Sequence, residues 1–208
     1  PTGSGKTTTL YAALSELIGQ GRNIMTIEDP IEYQFEGVNQ IQVNRQADIT
    51  FAVGLRAIMR LDPDIILVGE VRDAETANTA IQAALTGHLV LTSIHANDAA
   101  SALVRLVDMG IEPFLVTSRV IGSVAQRLLR RVCPYCRTPL EIPPDQLMAV
   151  EKETGESGGE FYTGRGCNFC SHTGFQGRVG VFEVLPVSEA VRSLVARQVP
   201  AAEIREQA

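Results

Sequence analysis

Apolar residues recur along this chain at two spacings, one typical of helices and the other of strands. In residues 6–19 the leucines follow helical spacing, and Gly19 and Gly21 predict where that helix ends. Asp73 is placed to cap the next helix and Gly87 to end it. Three more helices are predicted on such grounds: 74–86, 98–109 and 112–131.

Short aliphatic runs of strand length lie between these helices. They are NIMTI at 23–27, DIILVGE at 64–70 and HLVLTSIH at 88–95. Strands that alternate with helices predict the α/β class, with a doubly wound and mostly parallel sheet. After Arg131 the pattern changes: GRVGVFEVL at 177–185 predicts a strand, and 188–207 predicts a terminal helix.

Each of the three aliphatic runs ends in a polar group. The first ends in Glu28 and Asp29, the second in Glu70 and the third in His95. Ligands of open α/β sheets bind at the carboxyl ends of the strands, so we expect these groups to converge. Because side chains alternate in direction along a strand, Glu28 and Asp29 should not both face the ligand.

The first ten residues, PTGSGKTTTL, contain most of a phosphate-binding loop. Its glycines let backbone N–H groups surround phosphate oxygens, and the following helix points the positive end of its dipole at them. Lys6 supplies a charge at the phosphates of ATP, and Thr7 offers a hydroxyl to Mg²⁺. The predicted nucleotide-binding residues are Gly3, Ser4, Gly5, Lys6, Thr7 and Thr8. The alternative is a chance glycine turn.

The aliphatic run before Glu70 suits a magnesium site, because a carboxylate there holds Mg²⁺ directly or through water. A second carboxylate that orients the attacking water would complete a hydrolytic site. Any one acidic residue at a strand end is also explained as a solvated carboxylate or a helix cap. The usual aspartate at the end of such a run is replaced by Gly69 and Glu70.

Composition narrows the class of protein. The 208 residues are 45% hydrophobic and 20% charged, which suits a packed core, and the net charge of −6 argues against a nucleic-acid binder. No apolar run approaches the ~20 residues that span a bilayer.

The four cysteines form two C-x-x-C pairs, Cys133 with Cys136 and Cys167 with Cys170. Each pair places two thiolates at the spacing that a tetrahedral Zn²⁺ requires, so we predict one structural zinc ion. Redox thiols and an iron–sulfur cluster are the alternatives. His172 lies close in sequence, but four cysteines complete the ligand set without it.

Four stretches together resemble the type II secretion and type IV pilus assembly ATPases. GSGKTTTLYAAL resembles the Walker A motif of that family, TIEDPIEY its Asp box, LRAIMRLDPDIILVGEVRD its Walker B motif and TGHLVLTSIHANDA its His box. GCNFC followed by TGFQGRVGVFEVL resembles its C-terminal zinc and tail region. The resemblance covers nearly the whole chain.

The resemblance implies a RecA-like P-loop NTPase core and roles for individual residues. Glu28 corresponds to the water-orienting base, Glu70 to the acid of the magnesium site and His95 to a sensor of the γ-phosphate. His88 also matches a histidine of the His box, although a structural histidine explains it equally well.

The resemblance also implies partners and a place in the cell. Members form homohexamers that act on inner-membrane platform and cytoplasmic-anchor proteins, and they are cytoplasmic proteins peripheral to the inner face of the membrane. No nucleic-acid partner is expected. The tetracysteine site is typical of the secretion and assembly branch.

The predicted domains are an ATPase core at 1–131, a zinc-binding insertion at 132–178 and a C-terminal strand and helices at 179–208. The first glycine of the loop motif and the strand that leads into it would precede Pro1. We therefore expect a C-terminal fragment that hydrolyses ATP poorly by itself. Two other functions stay open: a zinc-bearing nucleic-acid-binding module and an ATP-binding fragment without turnover.

Overall fold

The computed structural model describes residues 2–155 and 158–207. Pro1 of the phosphate loop, Glu156 and Ser157 of the polar segment, and Ala208 lie outside the described residues. The chain divides into two compact units, each described here by itself. The sheet unit comprises Pro1–Arg127 with Phe182–Ala208, and the cysteine unit comprises Leu128–Val181.

The sheet unit is built on four parallel strands. They are β1 (Ile24–Glu28), β2 (Val38–Gln42), β3 (Ile65–Val71) and β4 (Leu89–Ile94), in the spatial order β2-β1-β3-β4. Every residue of β1 is buried, as a strand covered on both faces requires. These observations confirm the predicted α/β class with its parallel sheet and three of its strands.

Helices cover both faces of this sheet. They are α1 (Lys6–Leu17), α2 (Phe51–Ile58), α3 (Ala74–Leu85), α4 (Ala99–Asp108), α5 (Pro113–Arg119), α7 (Glu189–Ala196) and α8 (Ala201–Glu206). On one face, Tyr11 and Leu14 of α1 pack against Ile24, Ile65 and Leu67. The alternate strand residues point to the other face and pack against α2, α3 and α4.

Short side-chain caps fix where several of these helices begin. Asp73 accepts a hydrogen bond from the backbone N–H of Thr76 at 2.8 Å, as predicted, and Asp98 accepts one from Ser101 at 2.7 Å. Thr50 and Ser188 cap α2 and α7 in the same way. The phosphate-loop helix α1 has no such cap.

The strand β4 has a partner on one side only among the described strands, and a groove of about 840 Å³ runs beside it. Residues of β4, α1, α3 and the segment 118–127 line this groove. Thr9 on α1 donates a hydrogen bond to the side-chain carbonyl of Gln126 at 2.7 Å. The residues of β4 are less buried than those of β1, although its sequence, LVLTSI, is as apolar as that of a central strand.

Two predicted helices are wrong in part. The single helix over 112–131 is instead α5 followed by the strand β5 (Gly122–Val132), which pairs with β8 (Phe175–Pro186). Pairing overrides the local helical preference of leucine and arginine in β5. The terminal helix over 188–207 is divided into α7 and α8, because Pro200 has no N–H to continue α7.

The cysteine unit contains the end of β5, the beginning of β8 and several short elements. Its remaining elements are β6 (Arg137–Pro139), α6 (Pro144–Thr154), β7 (Tyr162–Gly164) and a 3-10 helix (Asn168–Cys170). β6 and β7 pair antiparallel. Within the part of the chain that the structure describes, no helix is long and apolar enough to cross a membrane.

Candidate functional site

The phosphate loop forms a glycine turn at the beginning of α1. Gly3 has φ 75° and Gly5 has φ 87°, conformations that glycine adopts without strain. A side chain added at Gly3 would meet nothing within 4 Å, so the turn opens outward. Gly5 is the N-cap of α1, and no acidic residue occupies the first turn. A helix N-terminus with this composition fits a phosphate group.

Glu70 and His95, at the ends of neighbouring strands, lie together. Nε2 of His95 is 3.2 Å from Oε2 of Glu70, and the guanidinium of Arg72 donates to Oε1 of the same carboxylate. The hydrogen bond from Arg72 to Glu70 raises the pKa of the Arg72 guanidinium. Two of the three strand-end groups are therefore in contact with each other.

Local irregularity directs these side chains. The register between β3 and β4 shifts between Val68 and Val71, a feature that re-aims side chains near functional sites. The hydroxyl of Ser93 donates to the carbonyl of Gly69 at 2.8 Å and links the two strands at this point. The side chain of Glu70 is 13% exposed, which leaves part of the carboxylate accessible.

Glu28 has different surroundings. It is 3% exposed, and both carboxylate oxygens accept hydrogen bonds from uncharged groups. Oε1 accepts from Thr26 Oγ1 at 2.6 Å and from Gln40 Nε2 at 3.1 Å, and Oε2 accepts from the hydroxyl of Tyr11. Its hydrogen-bond partners thus differ from those of Glu70 and His95.

Asp29 and His88 have other contacts, although the charge of Asp29 also acts on Arg72, which donates to Glu70. Asp29 is exposed and 4.0 Å from Arg45, so Glu28 and Asp29 differ in surroundings, as the alternation of strand side chains predicts. Nδ1 of His88 is 2.8 Å from the carbonyl of Ala83 at the end of α3. That contact suits a structural histidine.

The four cysteines form one cluster. Their sulfur atoms all lie within 4.8 Å of one another, with Cys133–Cys167 and Cys136–Cys170 at 3.9 Å and Cys167–Cys170 at 3.7 Å. Tetrahedral Zn–S bonds of about 2.3 Å place sulfur atoms about 3.8 Å apart. The cluster therefore fits a zinc ion, and among the described residues it is the one group of this kind.

Backbone donors favour thiolates in the cluster. The N–H groups of Cys167 and Gly174 donate to the sulfur of Cys170 at 3.2 and 3.3 Å. Burial opposes ionisation of Cys170, but these hydrogen bonds lower its pKa to about 6. Desolvation and the neighbouring thiols raise the pKa of Cys136 to about 12. His172 is not among the clustered ligands.

Each C-x-x-C pair also carries an aromatic residue. Tyr135 and Phe169 are 66% and 67% exposed, yet their rings stack with centroids 4.5 Å apart. Arg130 lies over the ring of Phe175, with 4.0 Å from its guanidinium carbon to the ring centroid. Ring contacts of this kind hold the surface of a unit that has few buried side chains.

Three residues around Glu28 were not predicted from the sequence. Thr26 lies two residues before Glu28 on the same face of β1, and strand periodicity alone could have identified it. Gln40 is opposite Thr26 in the pairing of β1 with β2, and β2 was not predicted. Tyr11 on α1 approaches Glu28 through tertiary packing, for which the sequence carries no local signal.

The chain as a whole matches a known family. A sequence profile described as "Type II/IV secretion system protein" matches residues 1–208. The chain belongs to this type II/IV secretion system protein family.

Similar proteins agree with this assignment. The chain is 55% identical over 196 residues to the type II secretion system protein E of Dickeya dadantii. It is 51% identical over 195 residues to the type II secretion system ATPase E of Vibrio cholerae. Each match covers 94% of this chain and 39% of the relative, so the chain spans about two-fifths of these proteins' length.

The fold is also similar to a solved structure. The crystal structure of the pilus retraction motor PilT with bound ADP superposes with a TM-score of 0.68 at 32% sequence identity. That match covers 100% of this chain and 50% of PilT.

Proposed function

We propose that this chain is the core of an ATP-hydrolysing motor subunit of a type II secretion or type IV pilus assembly machine. One observation carries the proposal: an uncapped helix N-terminus behind a glycine turn accompanies the Glu70–His95 pair at the strand ends of a parallel sheet. This arrangement is that of a RecA-like P-loop NTPase core. It occurs in a chain of the secretion family, whose relatives include a protein named ATPase E.

The residues of the site have separate roles in this proposal. The backbone of Gly3–Thr7 and the charge of Lys6 bind the phosphates of ATP, with Ser4 and Thr8 beside them. Thr7 and Glu70 are the oxygen ligands for Mg²⁺, which neutralises charge on the phosphates when bound. His95 senses the γ-phosphate through its contact with Glu70. Glu28 orients the attacking water.

The four cysteines hold a structural zinc ion in this proposal. Four thiolates fill a tetrahedral site and leave no position open for a substrate, so the metal stabilises the fold and takes no part in hydrolysis. The sulfur distances and the N–H donors to Cys170 support this assignment over a redox pair.

The groove beside β4 holds a further strand in our proposal, namely the strand that leads into the phosphate loop. Ser4 and Lys6 are among the residues that line the groove. On that side no strand of the described residues pairs with β4, whose six residues are a typical strand length. The ATPase core, zinc-binding insertion and C-terminal segment keep the boundaries 1–131, 132–178 and 179–208 as proposed domains.

The partners follow from the family. We propose that the intact protein forms a homohexamer, acts on inner-membrane platform and cytoplasmic-anchor proteins, and lies in the cytoplasm against the inner face of the membrane. The relatives from Dickeya dadantii and Vibrio cholerae are named as type II secretion system proteins, which supports this assignment.

The test measures ATP turnover by the intact protein and by single variants. Glu70→Gln should retain ATP binding and lose about 10²–10⁴-fold in kcat, the usual loss for a catalytic group. Glu28→Gln should lose turnover to a similar degree without weaker Mg²⁺-dependent binding. Glu75→Gln is the control, because Glu75 is an exposed carboxylate on α3 that pairs with Arg56.

Two outcomes would favour the other functions. If the wild-type protein binds ATP but does not hydrolyse it, the result would favour the alternative of an ATP-binding chain without turnover. A DNA mobility shift that weakens with added salt, without ATP turnover, would indicate the nucleic-acid-binding module.

A further inference from the structure

Tyr11 connects the phosphate-loop helix to the carboxylate at the end of β1. It lies on α1, five residues after Lys6, and is 5% exposed. Its hydroxyl donates to Oε2 of Glu28 and accepts from the backbone N–H of Glu32 at 3.1 Å. A single hydroxyl therefore contacts both the last residue of β1 and the loop that follows it.

Aromatic packing holds the ring of Tyr11 in place. The ring meets that of Phe35 edge to face, with centroids 5.0 Å apart, and that of Tyr33 at 6.1 Å. Gln40 fixes the same loop, because it accepts from the N–H of Phe35 at 2.8 Å and donates to the carbonyl of Tyr33 at 3.0 Å. The contacts with Phe35 and Tyr33 thus hold the ring while its hydroxyl donates to Glu28.

The hydroxyl remains a donor across the pH range of enzymatic activity. Burial and the hydrogen bond with Glu28 raise the pKa of Tyr11 to about 12. Tyr11 is consequently neutral and protonated near neutral pH. A neutral donor orients a carboxylate without offering the second charge that a lysine or an arginine would bring.

Among the described residues, three side chains donate to the Glu28 carboxylate, and of these only Tyr11 belongs to the helix that begins at the phosphate loop. Thr26 belongs to β1 itself and Gln40 to β2. A shift of α1 relative to bound phosphate would therefore move the Tyr11 hydroxyl and, with it, the Glu28 carboxylate. Tyr11 can therefore make the orientation of the Glu28 carboxylate depend on whether a phosphate is bound in the loop.

We propose that Tyr11 is a positioning residue for ATP hydrolysis, acting through Glu28. The inference rests on the proposed function, in which Glu28 orients the attacking water. Tyr11 itself touches neither nucleotide nor water in this scheme. It sets the orientation of the Glu28 carboxylate relative to the phosphate loop, so it affects the chemical step more than nucleotide binding.

The experiment compares Tyr11→Phe with wild type in the intact protein. Phenylalanine keeps the ring that packs against Phe35, and thermal melting confirms that the variant is folded. We expect kcat to fall about tenfold, the scale of one lost hydrogen bond to a charged group, while KM for ATP stays within about twofold. Tyr33→Phe, which removes an exposed hydroxyl from the same aromatic cluster, is the matched control and should leave kcat unchanged.

A double variant separates positioning from general destabilisation. If Tyr11 acts through Glu28, Tyr11→Phe should have little further effect on kcat in a Glu28→Gln background. An equal fall in both backgrounds, an unchanged kcat or a raised kcat would each overturn the inference and leave the proposed function standing. A wild-type protein that binds Mg²⁺ and ATP without hydrolysing ATP would overturn both.

Discussion

The sheet unit and the cysteine unit are stabilised in different ways. Buried apolar side chains pack against both faces of β1 and β3 in the sheet unit. In the described part of the cysteine unit, the buried hydrophobic side chains are those of Cys133 and Cys170. A segment of this size without an apolar core needs another source of stability, such as a metal.

One chain thus combines a unit with an apolar core and a unit whose four clustered cysteines fit a metal ion. The sheet unit should tolerate loss of metal, and the cysteine unit should tolerate loss of an apolar contact in the sheet unit. The predictions test whether a change in one unit leaves the other unit intact, from the largest expected effect to the smallest.

The largest effect should follow removal of the metal. Cys167→Ser, or a strong chelator, should unfold residues 128–181, because structural zinc contributes about 10–16 kcal/mol to the folding of small zinc domains. Hydrogen exchange should become fast in these residues and remain slow in β1 and β3. Metal analysis of the wild type should find one zinc ion per chain.

The control for this experiment is His172→Asn. His172 has φ 60°, which asparagine tolerates, and the variant should keep its zinc because His172 is not a ligand. Less than half an equivalent of zinc in the wild type, or iron in its place, would contradict the assignment.

The next effect should come from the core of the sheet unit. Leu55 on α2 is fully buried, so Leu55→Ala should lower the free energy of unfolding of this unit by about 2–5 kcal/mol. Urea unfolding followed by circular dichroism measures the change. Leu61→Ala, at a position 55% exposed, should change it far less. Release of zinc from the Leu55→Ala protein under native conditions would show that the two units are not independent.

A smaller effect is expected at a glycine contact inside the cysteine unit. A Cβ at Gly164 would lie 2.0 Å from the carbonyl oxygen of Gly174, whose N–H donates to Cys170. Gly164→Ala should force the two segments apart, at a cost on the order of 1–3 kcal/mol. We expect zinc to leave at a lower chelator concentration than in wild type.

Gly177 offers the matched control for this position. It has φ 74° and nothing lies within 4 Å of a side chain added there, so Gly177→Asn should retain zinc as wild type does. Equal chelator resistance in the Gly164→Ala and wild-type proteins would mean that this contact does not support the metal site.

The smallest effect concerns Asp98, which caps α4 and pairs with Arg205 on α8 at 2.7 Å. Burial opposes its ionisation, but hydrogen bonds with Ser101 and the charge of Arg205 lower its pKa. A lowered pKa in the folded state stabilises the protein above the ordinary carboxyl pKa, and this stabilisation is lost as pH falls through the folded value. Asp98→Ala should therefore cost about 1 kcal/mol near neutral pH.

Thermal melting at two pH values tests this sign. The difference between wild type and Asp98→Ala should narrow at about pH 3, below the ordinary pKa of aspartate. Asp108→Ala, at the opposite end of the same helix, should not destabilise the protein, because a negative charge is unfavourable there. A difference that is independent of pH would assign the effect to packing.

Local signals account for the parts of the fold that the sequence predicted. Asp73 and Gly87 define the limits of α3 through capping and a left-handed turn, which depend on neighbouring residues only. The helix α2 was missed because Gly54 lies in its middle and lowers helix propensity. A Cβ at that position would lie 2.7 Å from Cδ1 of Ile27, so the glycine allows α2 to pack closely against β1.

In the candidate site, too, the features that depend on local sequence were predicted and those that depend on tertiary contacts were not. The loop at Gly3–Thr7 was predicted from its glycine and lysine motif, and Glu70 and His95 from their positions at strand ends. The structure places the side chains of Glu70 and His95 in contact. The burial of Glu28 did not follow, because it depends on Tyr11 and Gln40, which are distant in sequence. Tertiary contacts of this kind leave no periodic signal.

The stacking of Tyr135 on Phe169 bears on the tyrosine fluorescence of the chain. The sequence contains four tyrosines and no tryptophan, so tyrosine dominates its ultraviolet emission. Tyr135 and Tyr162 belong to the cysteine unit, whereas Tyr11 and Tyr33 belong to the sheet unit. Because Tyr135 lies between two of the clustered cysteines, its fluorescence should change when a metal ion binds the cluster or leaves it.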